Sequence, residues 1–459
     1  MSSFKQIIAI ISLAVATSLS GCGSDSEPTT TPATDVAATA DAAGDTTTAG
    51  DAATAGDAAM GLKDIVDTAV ANGSFKTLAK LLGDAGLVAT LKGAGPFTVF
   101  APTDEAFAKL DPKVLDALAK DKDKLAAVLK HHVLAGKVAS KDVKTMFATT
   151  VAGYSLPIKV DGGKVMVGGA NVTTADVEAT NGIIHVVDKV ILPPTLVDLA
   201  MASADHKTLV DLVVKAKLAD VVATTGPYTV FAPTDAAFAA LPKALVDMVV
   251  ADEKMLQGVL THHVLQGAVK AADVKAGFAT SLAGFALPIA IKDSKVTVGG
   301  ATVIATDLIA TNGVIHVIDK VILLPNVVDI AMASADHTTL VDLVKLAGLV
   351  ENLKDKGPYT IFAPTNAAFA KVDIKKVEAL KADKAALESV LSYHIVPGLV
   401  KAKDVVAGQV ATINGAKITI AKDASGVTVN GAKVIATDLV GTNGVIHVID
   451  GVLIPPPKN

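Results

Sequence analysis

Six histidines and one recurring Thr-Asp pair are the residues of this chain best suited to catalysis or metal binding. His132, His263 and His394 stand 131 residues apart, as do His185, His316 and His447. A neutral imidazole can ligate a metal or act as a base. Two readings of these six are therefore open: ligands of an ion, or buried rings whose nitrogens hold backbone groups between elements. Adjacent histidines on a helix point about 100° apart, and no Cys or clustered acidic set completes a metal site. The second reading is favoured, because a buried polar group needs a partner. The other four histidines sit where another copy has a different ring. His131 and His262 correspond to Tyr393, and His206 and His337 to Phe75, which marks packing positions.

Asp104 and Asp235, beside Thr103 and Thr234, have the look of catalytic carboxylates, but Asn366 follows Thr365 at the third occurrence. Asn caps a helix about as well as Asp and cannot serve as a base. Thr103, Thr234, Thr365 and their neighbours are accordingly read as helix caps. There is no Gly-x-Ser-x-Gly, no P-loop and no dinucleotide glycine fingerprint. No enzyme activity, metal or cofactor is expected.

The elements that must position these residues come in three copies. Thr98–Phe107 reads TVFAPTDEAF, Thr229–Phe238 TVFAPTDAAF and Thr360–Phe369 TIFAPTNAAF. A second block keeps step with the first: Asn181 opens NGIIHVVDKVILPP, Asn312 NGVIHVIDKVILLP and Asn443 NGVIHVIDGVLIPP. A period of about 130 residues is the size of an independent domain, not of a solenoid unit. The expected domains are 61–194, 195–325 and 326–457. The joints are short and proline-bearing, at Pro193-Pro194 and Pro325, which limits freedom between neighbours.

The second copy shows the local pattern. Val197–Ala219 carries apolar residues at helical spacing and predicts two short helices broken near Ser203-Ala204-Asp205. Tyr228–Phe231 reads as a buried strand, and Pro233-Thr234-Asp235 opens a short helix. Leu241–Val250 and Met255–Val264 read as further helices. Strands are predicted over Ile289–Lys292, Lys295–Val298, Thr302–Ile309 and Val314–Leu323, with Asn312-Gly313 as a hairpin turn. Helices gathered early and strands late indicate α+β.

Hydrophobic residues make up 51% of the 459 and charged residues 19%, enough for three cores. The net charge is −5 and every basic residue is Lys, so no basic patch points to nucleic acid. There is no Trp and only four Tyr, which leaves glycan stacking unsupported. The one cysteine, Cys22, follows Lys5, the apolar run Ile7–Ala16 and Leu19-Ser20-Gly21. That order describes an export signal at 1–22, too short to span a bilayer. Leu-Ser-Gly-Cys resembles the bacterial lipobox, in which the cysteine sulfur carries a diacylglycerol. This implies a lipid anchor in a membrane, and Gly23 in place of Asp favours the outer membrane or cell surface of a bacterium. Residues 23–60, mostly Ala, Thr, Gly, Asp and Pro, read as a disordered tether with a reach of roughly 35 Å.

The two recurring blocks, with Tyr393-His394 between them in the third copy, resemble the fasciclin domain family over about 400 of the 459 residues. In the first two copies the tyrosine of that pair is His131 or His262. The resemblance implies a wedge of β-strands flanked by short helices. It also implies cell-surface adhesion, with a protein or matrix component, or a second copy of the chain, as partner. In some animal fasciclin domains an Asp followed by an aliphatic residue is implicated in integrin binding. The matching pairs here are Asp176-Val177, Asp307-Leu308 and Asp438-Leu439. The competing reading of these pairs is an ordinary strand edge. Two other functions stay open behind adhesion: a carrier of an apolar small molecule and, last, a hydrolase.

Overall fold

The computed structural model describes residues 61–424 and 426–457. Cys22, the export signal and the 23–60 tether lie outside the described residues. Each copy forms one seven-stranded sheet with its helices, the α+β class expected. In the first copy the strands are β1 (Phe97–Pro102), β2 (Val133–Ala135), β3 (Met146–Thr149), β4 (Ser155–Asp161), β5 (Lys164–Val167), β6 (Ala170–Ala179) and β7 (Gly182–Val187). Their order across the sheet is β2-β1-β7-β6-β5-β4-β3, and the other two copies repeat it. Only β1 and β7 run parallel. These two are the strands of the recurring blocks, so the two sequence signatures lie side by side, second and third from one edge of the sheet. β7 is buried along its whole length, as are its counterparts Gly313–Ile318 and Gly444–Ile449. A strand covered on both faces reads as a continuous apolar run, which is how this block appears in sequence.

The sheet divides each copy into two cores. In the second copy Ala232 and Ile315 face the helices with Leu196, Leu199, Leu209 and Leu260. Phe231 and Ile318 face the other way, with Leu287, Val298 and Ile322. The alternation of Phe231 and Ala232 along one strand is the two-residue period that makes this split.

Local chemistry sets the helix starts. Thr195 and Asp198 form a capping box before the helix Leu196–Ala202. Thr234 accepts from Ala237 N at 3.2 Å to begin Asp235–Ala239. Asp235 itself caps a different helix: its carboxylate accepts from Thr208 N at 2.7 Å, at the start of Lys207–Lys215. That helix begins at His206, whose side chain makes no capping bond, so the cap comes from beyond the strand. Asp104 does the same for Thr77 N at 2.7 Å, and Asn366 for Thr339 N at 2.9 Å.

Three expectations need correction. The last strand of the second copy ends at Ile318, not at Leu323. Beyond it Ile322 dives under the sheet, and its amide donates to His263 Nε2 at 2.9 Å instead of to a ladder. The hairpin loop is Thr311-Asn312, not Asn312-Gly313, because Gly313 already pairs with Ala310. Gly313 is required for another reason: a β-carbon there would collide with the Tyr228 carbonyl oxygen of the parallel neighbour. Finally, a third helix, Ala219–Thr224, and two short strands, Val264–Gln266 and Gly277–Thr280, carry no distinct apolar period and were not expected.

Beyond the proline joints, the copies touch through a repeated contact. Phe147 on β3 packs against the helix-side core of the second copy, and Ser155 Oγ on β4 accepts from Ile309 N at 2.8 Å. Phe278 and Ala286, one period later, join the helix-side core of the third copy.

Candidate functional site

The Asn-Gly-x-Ile-His block builds the most connected polar region of each copy. Asn181 Oδ1 accepts from Ile65 N at 2.9 Å, and its Nδ2 donates to Leu91 O at 2.7 Å and Gly93 O at 3.0 Å. Asn312 and Asn443 repeat the clamp on Leu196 N and Val327 N at 2.9 and 3.0 Å. One amide thus ties the hairpin loop to the first helix and to the end of the third. A turn signal in sequence is a structural rivet in three dimensions.

Four residues on, His185 stacks on Phe100 with ring centroids 5.6 Å apart. Its Nε2 donates to Val138 O at 2.9 Å, while Nδ1 accepts from Asp176 N at 3.2 Å. His316 and His447 make the same pair of bonds. Each ring therefore bridges two backbone segments. Asp176 sits at a β-bulge of β6 with φ 59°, and Asp307 and Asp438 match it at 59° and 60°. Asp tolerates this left-handed conformation better than most residues. The bulge turns its carboxylate onto the short 3₁₀ turn Ser140–Asp142, where it accepts from Ser140 N at 2.8 Å and from the Ser140 hydroxyl. Those bonds hold the Asp176 carboxyl below its usual range. Asp307 and Asp438 accept from Ala271 N at 2.9 Å and Ala402 N at 2.8 Å, and alanine offers no hydroxyl to the second oxygen. The aliphatic partners are turned inward: Val177, Leu308 and Leu439 pack against the helix-side cores. Each of the three Asp-aliphatic pairs thus presents a carboxylate bonded to a 3₁₀ turn and an apolar side chain facing the core.

His132 lies at the end of the helix Lys122–His131 and is fully engaged. Nδ1 donates to Val128 O at 2.8 Å and Nε2 accepts from Ile191 N at 2.9 Å. His263 and His394 do the same with Val259 O and Ile322 N, and with Val390 O and Leu453 N. Burial pulls all three imidazoles down to about 4, so they stay neutral at ordinary pH. With both nitrogens occupied, none of these rings has a lone pair left for a metal. The neighbouring His131 and His262 reach only Thr150 Oγ1 and Ser281 Oγ, and their Nε2 atoms have no hydrogen-bond partner among the described residues. Burial, with a smaller contribution from the adjacent His, pulls these two to about 3. Tyr393 takes the same place, donating to Lys417 O and accepting from Asn430 Nδ2, both at 2.8 Å.

Among the described residues no group of three or more His, Cys, Asp or Glu is placed to hold a metal, and no helix is long and apolar enough to cross a membrane. Sequence reasoning overlooked the feature that differs most between copies, an apolar recess between the first helices and the sheet. The signal it passed over is Val222, which stands where the other two copies have Leu91 and Leu353.

Human periostin is 30% identical over 371 residues, covering 79% of this chain and 44% of periostin. Transforming growth factor-beta-induced protein ig-h3 from Sus scrofa is 30% identical over 379 residues, covering 80% of this chain and 54% of that protein. The chain thus spans about half the length of each. The FAS1 domain pair of the insect cell adhesion molecule fasciclin I aligns with 55% of this chain and 98% of its own, at 18% identity and a TM-score of 0.40. The family model of the fasciclin domain matches residues 73–193, 204–325 and 335–455, and the chain belongs to the fasciclin family.

Proposed function

We propose that this chain is a lipid-anchored surface protein that adheres to cells, matrix or its own kind through three fasciclin modules. In this reading Cys22 carries the lipid, 23–60 holds the modules away from the membrane, and 61–194, 195–325 and 326–457 are the modules. The observation that carries it is the way the copies are joined. Each has its own two cores, and the β3–β4 edge of one, with the proline joint, meets the next. Modules joined in this way repeat the same surface along the chain. Several weak contacts in series then raise avidity without any one being tight. Ile309, which follows Leu308, donates to Ser155 of the preceding module, and the strand Ala432–Gly441 that carries Asp438-Leu439 lies against Ala286–Lys292 of the second, so these two pairs adjoin a preceding module. Asp176 has no preceding module among the described residues and is exposed, so of the three pairs its carboxylate is the one best placed to meet a partner.

The test measures retention of the full chain and of a chain lacking 326–457 on immobilised envelope, matrix and host-cell extracts. Retention is expected to fall by an order of magnitude or more on removal of a module. Equal retention of both chains, or none by either, sinks the adhesive reading. Mass spectrometry of the mature N-terminus tests the anchor separately, and an unmodified Cys22 sulfur removes it.

A further inference from the structure

We infer that the second copy, alone of the three, holds a binding site for a compact neutral hydrocarbon of one or two fused rings. This goes beyond adhesion and does not depend on it. The same recess exists in every copy, between the first helices and the parallel strand pair. Its volume is about 20 Å³ in the first copy, 50 Å³ in the third and 200 Å³ in the second. An engineered cavity of about 150 Å³ with an apolar lining stays dry and takes up benzene. The second recess exceeds that volume and the other two fall well short of it.

The three copies act as internal controls for the cause. Val222 stands where the first and third copies have Leu91 and Leu353, both buried. Val213 replaces Leu82 of the first copy, and Val230 replaces Ile361 of the third. Each replacement removes one methylene from the wall. The mouth differs as well. Met201, Val214, Val221 and Leu282 rim it and are 66, 60, 50 and 43% exposed. The third copy has Lys345 and Asn352 at the positions of Val214 and Val221, and the first has Gly83 and Thr90. Only the second copy combines a widened floor with an apolar mouth.

The lining also decides what can enter. The polar groups at its edge are already used: Tyr228 Oη meets Thr225 Oγ1 at 2.8 Å, Thr261 Oγ1 donates to Gln257 O at 2.6 Å, and both nitrogens of His263 bond backbone. Water needs two to four polar partners and finds none. A peptide segment would leave its N–H and C=O groups buried and unpaired, which disfavours it. A charged ligand would meet no counter-charge. What remains is a hydrocarbon that makes dispersion contacts alone.

Equilibrium dialysis of the full chain against naphthalene tests the site. Saturation at one naphthalene per chain is expected. The double variant V213L/V222L, which restores the residues of the first copy, is expected to bind at least tenfold more weakly. V344L, at the position of Val213 in the third copy, leaves binding unchanged. Should the double variant fail to fold, V214K at the exposed rim, which copies Lys345, is expected to weaken binding at least threefold without touching the floor. No saturable uptake, three molecules per chain, or wild-type affinity in the folded double variant and in V214K would each overturn the inference.

Discussion

The second and third copies share a sheet, a helix order and a set of riveting side chains, yet they differ at the ring beside the rivet and in the space beneath the first helix. His263 and His394 are interchangeable in role: each donates to the carbonyl four residues back and accepts from an amide 59 residues on. One residue earlier, His262 reaches a single hydroxyl, while Tyr393 meets two partners. The lesson concerns what can drift between copies of one fold. A side chain that joins two buried backbone groups is fixed at both ends, because its loss strands both. A side chain with one local partner can be exchanged for another ring, and an apolar wall can lose a methylene with only a cavity as consequence.

The largest effect should come from breaking the shared rivet. His263→Ala strands Val259 O and Ile322 N in the core and removes a packed ring; His394→Ala does the same to Val390 O and Leu453 N. Unpaired buried groups cost about 1–3 kcal/mol each, so each variant should destabilise its own copy by about 4 kcal/mol. Hydrogen exchange resolved by copy measures this. Unequal losses in the two copies would break the claimed equivalence.

Acid should separate the same two copies by a smaller amount. Burial lowers His206, His262 and His263 in the second copy, but only His337 and His394 in the third. A histidine that is buried neutral takes up its proton more readily in the unfolded chain. Its contribution is complete above the unfolded value near 6.5 and is lost as pH falls through the folded value. Each such ring steepens the loss by about 1.4 kcal/mol per pH unit. The second copy should therefore lose about 3 kcal/mol more than the third between pH 6.5 and 4. His262→Tyr should abolish that extra loss, as read from the pH dependence of copy-resolved exchange. An unchanged slope in the variant would assign the acid response to other groups.

How far these differences could be read from sequence depends on their range. The histidine positions were legible because three copies in register show which rings persist and which are exchanged. The α+β class was legible because the helical periods of each copy precede a run of β-branched strand segments. The role of Asn312 was not, since its partners Leu196, Val222 and Thr225 lie far away in sequence and the Asn-Gly pair carries a strong local turn preference. Asp235 was recognised as a cap, but not of the distant helix it serves. The 200 Å³ recess was invisible, because a methylene missing from one wall matters only if the opposite wall does not close over it.

The smallest expected effect lies at the joints, where the same two copies differ again. The second copy receives Ser155 from the first, whose hydroxyl accepts from Ile309 N. The third copy receives Ala286 at the matching position, with Val440 in the place of Ile309, and alanine has no hydroxyl to offer. A hydrogen bond of this kind contributes about 1 kcal/mol net. Ser155→Ala should therefore weaken the coupling between the first and second copies by about that amount and speed exchange of the Ile309 amide several-fold. It should leave the second copy's own core untouched, because Phe147 still packs against it. Ala286→Ser should work in the opposite sense at the second joint and slow exchange of the Val440 amide. If neither amide responds, the apolar edge alone couples the modules, and the serine is a passenger at a contact that Phe147 and Phe278 already define.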